Sequence, residues 1–210
     1  MMLVTAVTPL TARKVKVEFD HQFTLVLYKG EFNLFQLKEQ AEVPEELITE
    51  IENKILKKRA VKYAMHLLQK KDYSSKELTD KLLHAGYSDR CAAQALDYVS
   101  SYGYVNDKTY AVRYLETYSN RKSMRKMQMD LRQKGISEDL IEEALQEAEV
   151  DSEQDTLRYY AEKKARCLDL SQDKDRQKFL RFLVGKGFSY TDAREVMEEL
   201  VVVQNEGYAE

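Results

Sequence analysis

At 210 residues, with 43% hydrophobic and 33% charged side chains, the chain has enough apolar content for real cores and a formal net charge of only −3. That balance excludes a disordered polyanion and a generally cationic nucleic-acid binder. Two cysteines, Cys91 and Cys167, without metal-knuckle spacing, and no apolar run of leader or membrane-spanning type, point to a cytoplasmic protein without a membrane partner.

Residues 1–12 read as flexible or weakly strand-like. Arg13 to Phe19 then alternates strictly, with Val15, Val17 and Phe19 on one face and Lys14, Lys16 and Glu18 on the other. Asp20-His21-Gln22 reads as a turn and Phe23 to Gly30 as the returning strand. A two-stranded hairpin is marginal alone, so it should lean on a helix or join further strands. Glu31 to Gln40 fits either a strand extension or a short helix. Pro44 suits the first turn of a linking helix, with Glu45 and Glu46 near its positive end. That helix carries Leu47, Ile51, Ile55, Ala60, Tyr63, Ala64, Leu67 and Leu68 and ends near Gln69. Its basic group Lys54, Lys57, Lys58 and Arg59 reads as a solvated face.

From there one unit recurs. Helical apolar spacing runs up to a glycine, a large apolar residue follows it, and a serine opens the next helix. The glycines are Gly86, Gly135 and Gly187, about fifty residues apart. Four residues before them stand Leu82, Leu131 and Leu183; one after, Tyr87, Ile136 and Phe188; two after, Ser88, Ser137 and Ser189. The glycine supplies a left-handed C-cap, the apolar residue closes it, and the serine caps the following helix. Ser74 with Glu77 forms a capping box for the second helix of the first unit. The first helix of the middle unit starts at Asn106 or Asp107 and carries Tyr110, Ala111, Tyr114, Leu115 and Tyr118. Arg121 and Lys122 break it, and Met124, Met127 and Leu131 continue on the next helix. The last unit opens near Ser152, and Ser189 or Thr191 caps its final helix, which should fray after Leu200.

The fold class is therefore mainly α: three tandem three-helix repeats in an elongated array, preceded by an N-terminal β-hairpin and a linking helix. The boundaries fall at 1–43 for the hairpin extension, 44–107 for the linking helix and first repeat, 108–151 for the second repeat and 152–210 for the third.

Little in the chain offers chemistry. His21, His66 and His84 lack metal-ligand spacing partners, no serine sits in a nucleophile elbow, and Gly185-Lys186-Gly187 lacks the preceding strand of a phosphate loop. Cys91 and Cys167 occupy packing positions. Neither an enzyme nor a cofactor is implied. A DNA-reading helix would place Arg, Asn, Gln or Lys near its start; the first repeat offers Arg90 and Gln94, the second only acids and apolar residues. Charge is uneven instead. Arg121 to Lys134 holds six basic residues against Asp130, whereas Glu138 to Asp155 holds nine acids and no base. Helix-dipole logic explains part of this. The remainder is either a solvated surface or a module with opposite potentials on its second and third helices.

Gly103, Tyr104, Val105 and Asp107, then Tyr110 and Ala111, then Leu131, Lys134, Gly135 and Ile136 resemble the bacterial recombination regulators called RecX. Ser75, Glu77, Leu78 and Leu82 match the first repeat's signature, and the likeness runs from about Ala60 to Leu200. The chain departs from the family in having Tyr73 before Ser74, Asn106 before Asp107, and Arg121-Lys122-Ser123 where a basic residue and glycine are common. The resemblance implies a monomeric, non-catalytic protein that lies in the groove of the RecA recombinase filament on single-stranded DNA. It would limit filament growth, ATP hydrolysis, strand exchange and co-protease activity. Candidate partner-binding residues are Tyr104, Tyr110, Arg121, Lys122, Arg125, Lys126 and Arg132, with Tyr104 and Tyr110 equally able to join one repeat to the next. Lys134, Arg176, Lys178 and Arg181 are candidate phosphate contacts for weak direct DNA binding. A DNA-binding module without a recombinase partner and a structural helical-repeat adaptor are the competing readings.

Overall fold

The computed structural model describes the backbone of residues 1–20 and 23–206 and the side chains as far as residue 202. His21 and most of the expected hairpin turn lie outside it. The chain forms two compact units, Met1–Asn106 and Asp107–Glu210.

The first unit begins with a sheet larger than a hairpin. Strands β1 (Met2–Pro9), β2 (Lys14–Phe19), β3 (Thr24–Tyr28) and β4 (Glu42–Val43) pair antiparallel in the order β3-β2-β1-β4. Of the two expectations for the first residues, flexible or weakly strand-like, the strand is the one that holds. β2 alone would leave one row of backbone groups unpaired, and β1 takes that edge, with a register irregularity between Val4 and Ala6. The alternation read at Val15, Val17 and Phe19 holds: all three are buried, and Val15 and Val17 pair with the buried Leu27 and Leu25. The ambiguous stretch after β3 begins as a short helix, α1 (Lys29–Leu34).

Beyond Pro44 one helix runs without a break. α2 (Glu45–Ile51) passes through a π-helical turn (Glu52–Leu56) into α3 (Lys57–Leu68). α4 (Ser75–His84) and α5 (Asp89–Ser101) complete the first module, and the sheet shares one apolar core with it. The Ser74–Glu77 capping box forms as expected. Arg59 departs from the solvated-face expectation: its guanidinium pairs with Glu31, donates to the Val26 carbonyl at 3.3 Å and lies over the Tyr28 ring at 4.4 Å.

The second unit holds two more modules. The first comprises α6 (Asp107–Tyr118), α7 (Met124–Gln133) and α8 (Glu138–Glu147). The other comprises α9 (Glu153–Ala165), α10 (Asp173–Gly185) and α11 (Tyr190–Glu206). Each has its own core, the latter built on Phe179, Leu183, Phe188 and Leu170. α11 outruns the expected fraying point at Leu200 by six residues to Glu206; the last four residues lie outside the described chain. Cys91 packs in the first module's core, but Cys167 falls past the end of α9 and is exposed, contrary to expectation. Among the described residues no helix is long and apolar enough to cross a membrane.

The glycine closure recurs in all three modules. In the first, the Gly86 N–H donates to the Leu83 carbonyl at 2.9 Å and the Tyr87 N–H to the Leu82 carbonyl at 3.2 Å, the paired bonds of a Schellman cap. Gly86 has φ +87°, and a Cβ there would sit 2.6 Å from Val26 Cγ2 on the sheet. Gly103, with φ +74°, faces open space. Gly86→Ala should therefore cost about 2 kcal/mol of unfolding free energy and Gly103→Ala about 1 kcal/mol, read by urea denaturation. Equal losses would mean that the approach to Val26 imposes no constraint.

Candidate partner-binding surface

The basic segment named from sequence belongs to the middle module, and its charges are largely spent inside that module. Ser123 is buried and opens α7: its hydroxyl accepts the Lys126 N–H at 3.2 Å. One turn of chain before α7, Lys122 folds back over α6. Its ammonium donates to the Tyr114 hydroxyl at 2.8 Å and to Asp130 Oδ2 at 2.7 Å, and lies 4.5 Å from the Tyr118 ring centre. Tyr114 itself donates to Asp130 Oδ2 at 2.8 Å, and Lys126 reaches Asp130 Oδ1 at 3.2 Å. Tyr110, Tyr114 and Tyr118 form a ladder along α6, with Lys134 over the first two rings. Arg132 grips Glu138 of α8 with two hydrogen bonds of 2.6 and 2.5 Å.

The titration behaviour follows from this packing. Burial alone would raise the Asp130 carboxyl, but the hydrogen bonds from Lys122, Tyr114 and Lys126 together reverse that and hold it below its ordinary range. Burial, then the Asp130 contact, pushes the Tyr114 hydroxyl up.

Two of the named cations remain outward. Arg121 and Arg125 are exposed, and among the described residues neither meets a carboxylate. Tyr110 sits in the ladder of the second unit. Tyr104, in the first unit, is 54% exposed and stacks on Tyr102, which in turn touches Tyr98. The candidate phosphate contacts on α10 are mostly engaged as well. Arg176 donates to the Leu170 carbonyl at 2.6 Å, Lys178 pairs with Asp175 at 2.8 Å, and Arg181 donates to the carbonyl of Gln177 at 3.3 Å. In the first module, Arg90 lies 3.9 Å from the buried Glu52 and Gln94 donates to Asn53 at 3.3 Å, so both face the π-helical turn.

The charge asymmetry between α7 and α8 is also partly cancelled, since Lys108 of α6 pairs with Glu143 and Glu147. Sequence reasoning missed Lys163 and Lys164 as cations of the last module, which with Lys186 lie over Tyr159, Tyr160 and Phe182. The signal was present as the pairs Tyr159/Lys163 and Tyr160/Lys164, each four residues apart on one helix. Among the described residues no group of three or more His, Cys, Asp or Glu could hold a metal ion.

Family models for the first, second and third three-helix domains of RecX match residues 60–98, 106–145 and 151–197, in order. The regulatory protein RecX of Thermus thermophilus is 34% identical over 149 residues, which cover 71% of this chain and 96% of that protein. The chain belongs to the RecX family. The regulatory protein RecX of Clostridium tetani is 31% identical over 142 residues, covering 66% of this chain and 65% of its own length. The chain thus spans a little under two thirds of that clostridial relative. The crystal structure of RecX from Lactobacillus salivarius superposes with a TM-score of 0.56 at 25% identity, covering 70% of this chain and 97% of that one. Gly86, Gly135 and Gly187 each fall inside one matched domain.

The Asp130 cluster predicts a pH dependence. A carboxyl held low in the folded state leaves the unfolded chain binding the proton first as pH falls. Its contribution is complete above about pH 4 and is lost as pH drops through the folded value. In urea titrations at a series of pH values, the stability gap between wild type and Asp130→Asn should be widest near neutrality and narrow below about pH 4. A gap independent of pH would mean that the carboxylate's charge does not stabilise this cluster.

Proposed function

We propose that this RecX-family chain is a non-catalytic regulator that binds the RecA recombinase filament on single-stranded DNA and limits its growth, ATP hydrolysis and strand exchange. The observation that carries the reading is the ordered match of all three helical domains to the family. Such a protein would act as a monomer in the cytoplasm and need no cofactor.

The middle module supports a division of labour among the candidate residues. Arg121 and Arg125 are exposed and make no ion pair among the described residues, so a partner's acidic groups could meet them without first breaking an internal pair. Lys122 and Lys126 serve Asp130, and their role in binding is to hold α7 in place. Arg132 could turn to a partner only by releasing Glu138.

The test is single-stranded-DNA-dependent ATP hydrolysis by the cognate recombinase. Wild-type protein should inhibit at substoichiometric amounts. Arg125→Glu should raise the concentration needed for half inhibition about tenfold with an unchanged unfolding midpoint. Lys122→Gln should instead lower the midpoint. A wild-type protein without effect on the ATPase would sink the filament reading, and an unchanged Arg125→Glu would remove α7 from the interface.

A further inference from the structure

Within the second unit, the join between its two modules is built from polar groups. Ser119, Ser123 and Thr156 are buried there. On one side, the Thr156 hydroxyl of α9 donates to the Ser119 carbonyl at 3.2 Å, and the Ser119 hydroxyl donates to Asp151 Oδ2 at 2.7 Å. On the other, the Ser123 N–H donates to the Lys186 carbonyl at 3.3 Å and the Met124 N–H to Glu153 Oε1 at 3.2 Å. Gly187, with φ +97°, permits the second approach: a Cβ there would stand 2.5 Å from that of Lys126 and would also meet the Ser123 hydroxyl.

The two apolar cores stay apart, unlike the sheet and helices of the first unit, which share one. The covalent tie is short. Ala148 and Val150 still pack on the middle core and α9 begins at Glu153, which leaves Asp151 and Ser152 as a pivot. Apolar burial resists separation because water gains nothing from it, whereas hydrogen bonds broken together exchange for bonds to water at little net cost. Water has access to this join: a groove of about 480 Å³ runs beside it, lined by Asn120, Asp151 and Thr156 among others. A half-parted join is the costly state, since it strips the Thr156 hydroxyl or the Ser123 N–H of its acceptor before water replaces it. The bonds therefore break as a set.

We propose that this join is a clasp: the middle and last modules exchange between a closed arrangement held by these hydrogen bonds and an open one in which both stay folded and pivot at Asp151-Ser152. Gly187 makes the closed arrangement possible, and the hydroxyls of Ser119 and Thr156 make it specific. Opening changes the distance from Arg121 and Arg125 to the last module. A partner that meets both modules then selects one arrangement by binding it better than the other. The clasp does not rest on the recombinase reading, because it is a property of the chain alone.

The measurement is the distance between two spin labels on the full chain, by pulsed electron paramagnetic resonance without recombinase. One label sits on the native Cys167, exposed in the last module, and the other on Glu142→Cys, exposed in the middle one; Cys91 is buried away from the reagent. This labelled protein should show a dominant distance and a minor second one. Thr156→Val keeps the side chain's shape but leaves the Ser119 carbonyl without its donor in the closed state, and should shift the ratio toward the minor distance about tenfold. Gly187→Ala should shift it the same way, although it also strains the cap of its own module, so Thr156→Val decides. Far-UV circular dichroism should show unchanged helix content in Thr156→Val. A single distance in both proteins, an unchanged ratio in Thr156→Val, or a shift that appears only with loss of helix would each overturn the clasp. The ATPase assay with Arg125→Glu reads separately, so a failure here leaves the filament reading standing.

Discussion

A residue that must adopt positive φ stands between the second and third helices of every module, and the module's geometry depends on it. The left-handed residue ends one helix, its own N–H and the next one close the orphan carbonyls, and the chain leaves at the angle that lets the third helix return across the first two. The apolar residue one step on then falls inward, as Ile136 and Phe188 do, and the serine after it caps the next helix. Three local requirements are thus met by three consecutive residues. At Gly86 and Gly187 the missing Cβ also lets a neighbouring element approach, the sheet in one case and the start of α7 in the other. The same residue type serves the turn within a module and the docking of something outside it.

With that frame constant, surface charge is free to vary, but its meaning depends on how it is paired. The middle module's basic run looks like a binding stripe when counted along the sequence. In three dimensions Asp130 gathers Lys122, Lys126 and the Tyr114 hydroxyl, and Glu138 takes Arg132. Such half-buried charge networks orient helices more than they attract partners, since each charge already has its counterion. The last module carries fewer basic residues in any one run, yet its lysines rest on aromatic faces and keep their charge available. Availability is the better guide to a polyanion surface than local density.

The helical frame was legible because its signals are local. Capping serines, the Ser74–Glu77 box and the apolar spacing before each glycine involve residues a few positions apart, and most helices of the three modules follow from them. What stayed hidden depends on distant partners. β1 has no clean alternation, and its place in the sheet is set by the edge of β2 and by β4. Arg59 belongs to Glu31 and Tyr28, about thirty residues away, where helical periodicity gives no hint. The buried Glu52, whose carboxylate takes the Ser88 hydroxyl at the start of α5, lies in a π-helical turn that no propensity marks. Of the candidate residues, Arg121 and Arg125 stand outward, and pairing alone separates them from Lys122 and Arg132.

The longer link of the last module shows how the frame absorbs variation. Between α9 and α10 the chain buries Leu170 completely, and Asp169 accepts from the Ser171 N–H at 3.0 Å and hydroxyl at 2.7 Å to turn the chain. Arg176 then fastens the Leu170 carbonyl. A cation that would look like a phosphate ligand on an isolated helix here ties α10 to the link that joins it to α9. That link lies between the helices that bear Tyr160 and Phe182, so a local insertion, closed by its own apolar anchor and one arginine, accompanies the aromatic contacts between them. In this link, the arginine that reseals the longer connection is the residue most easily mistaken for a phosphate ligand.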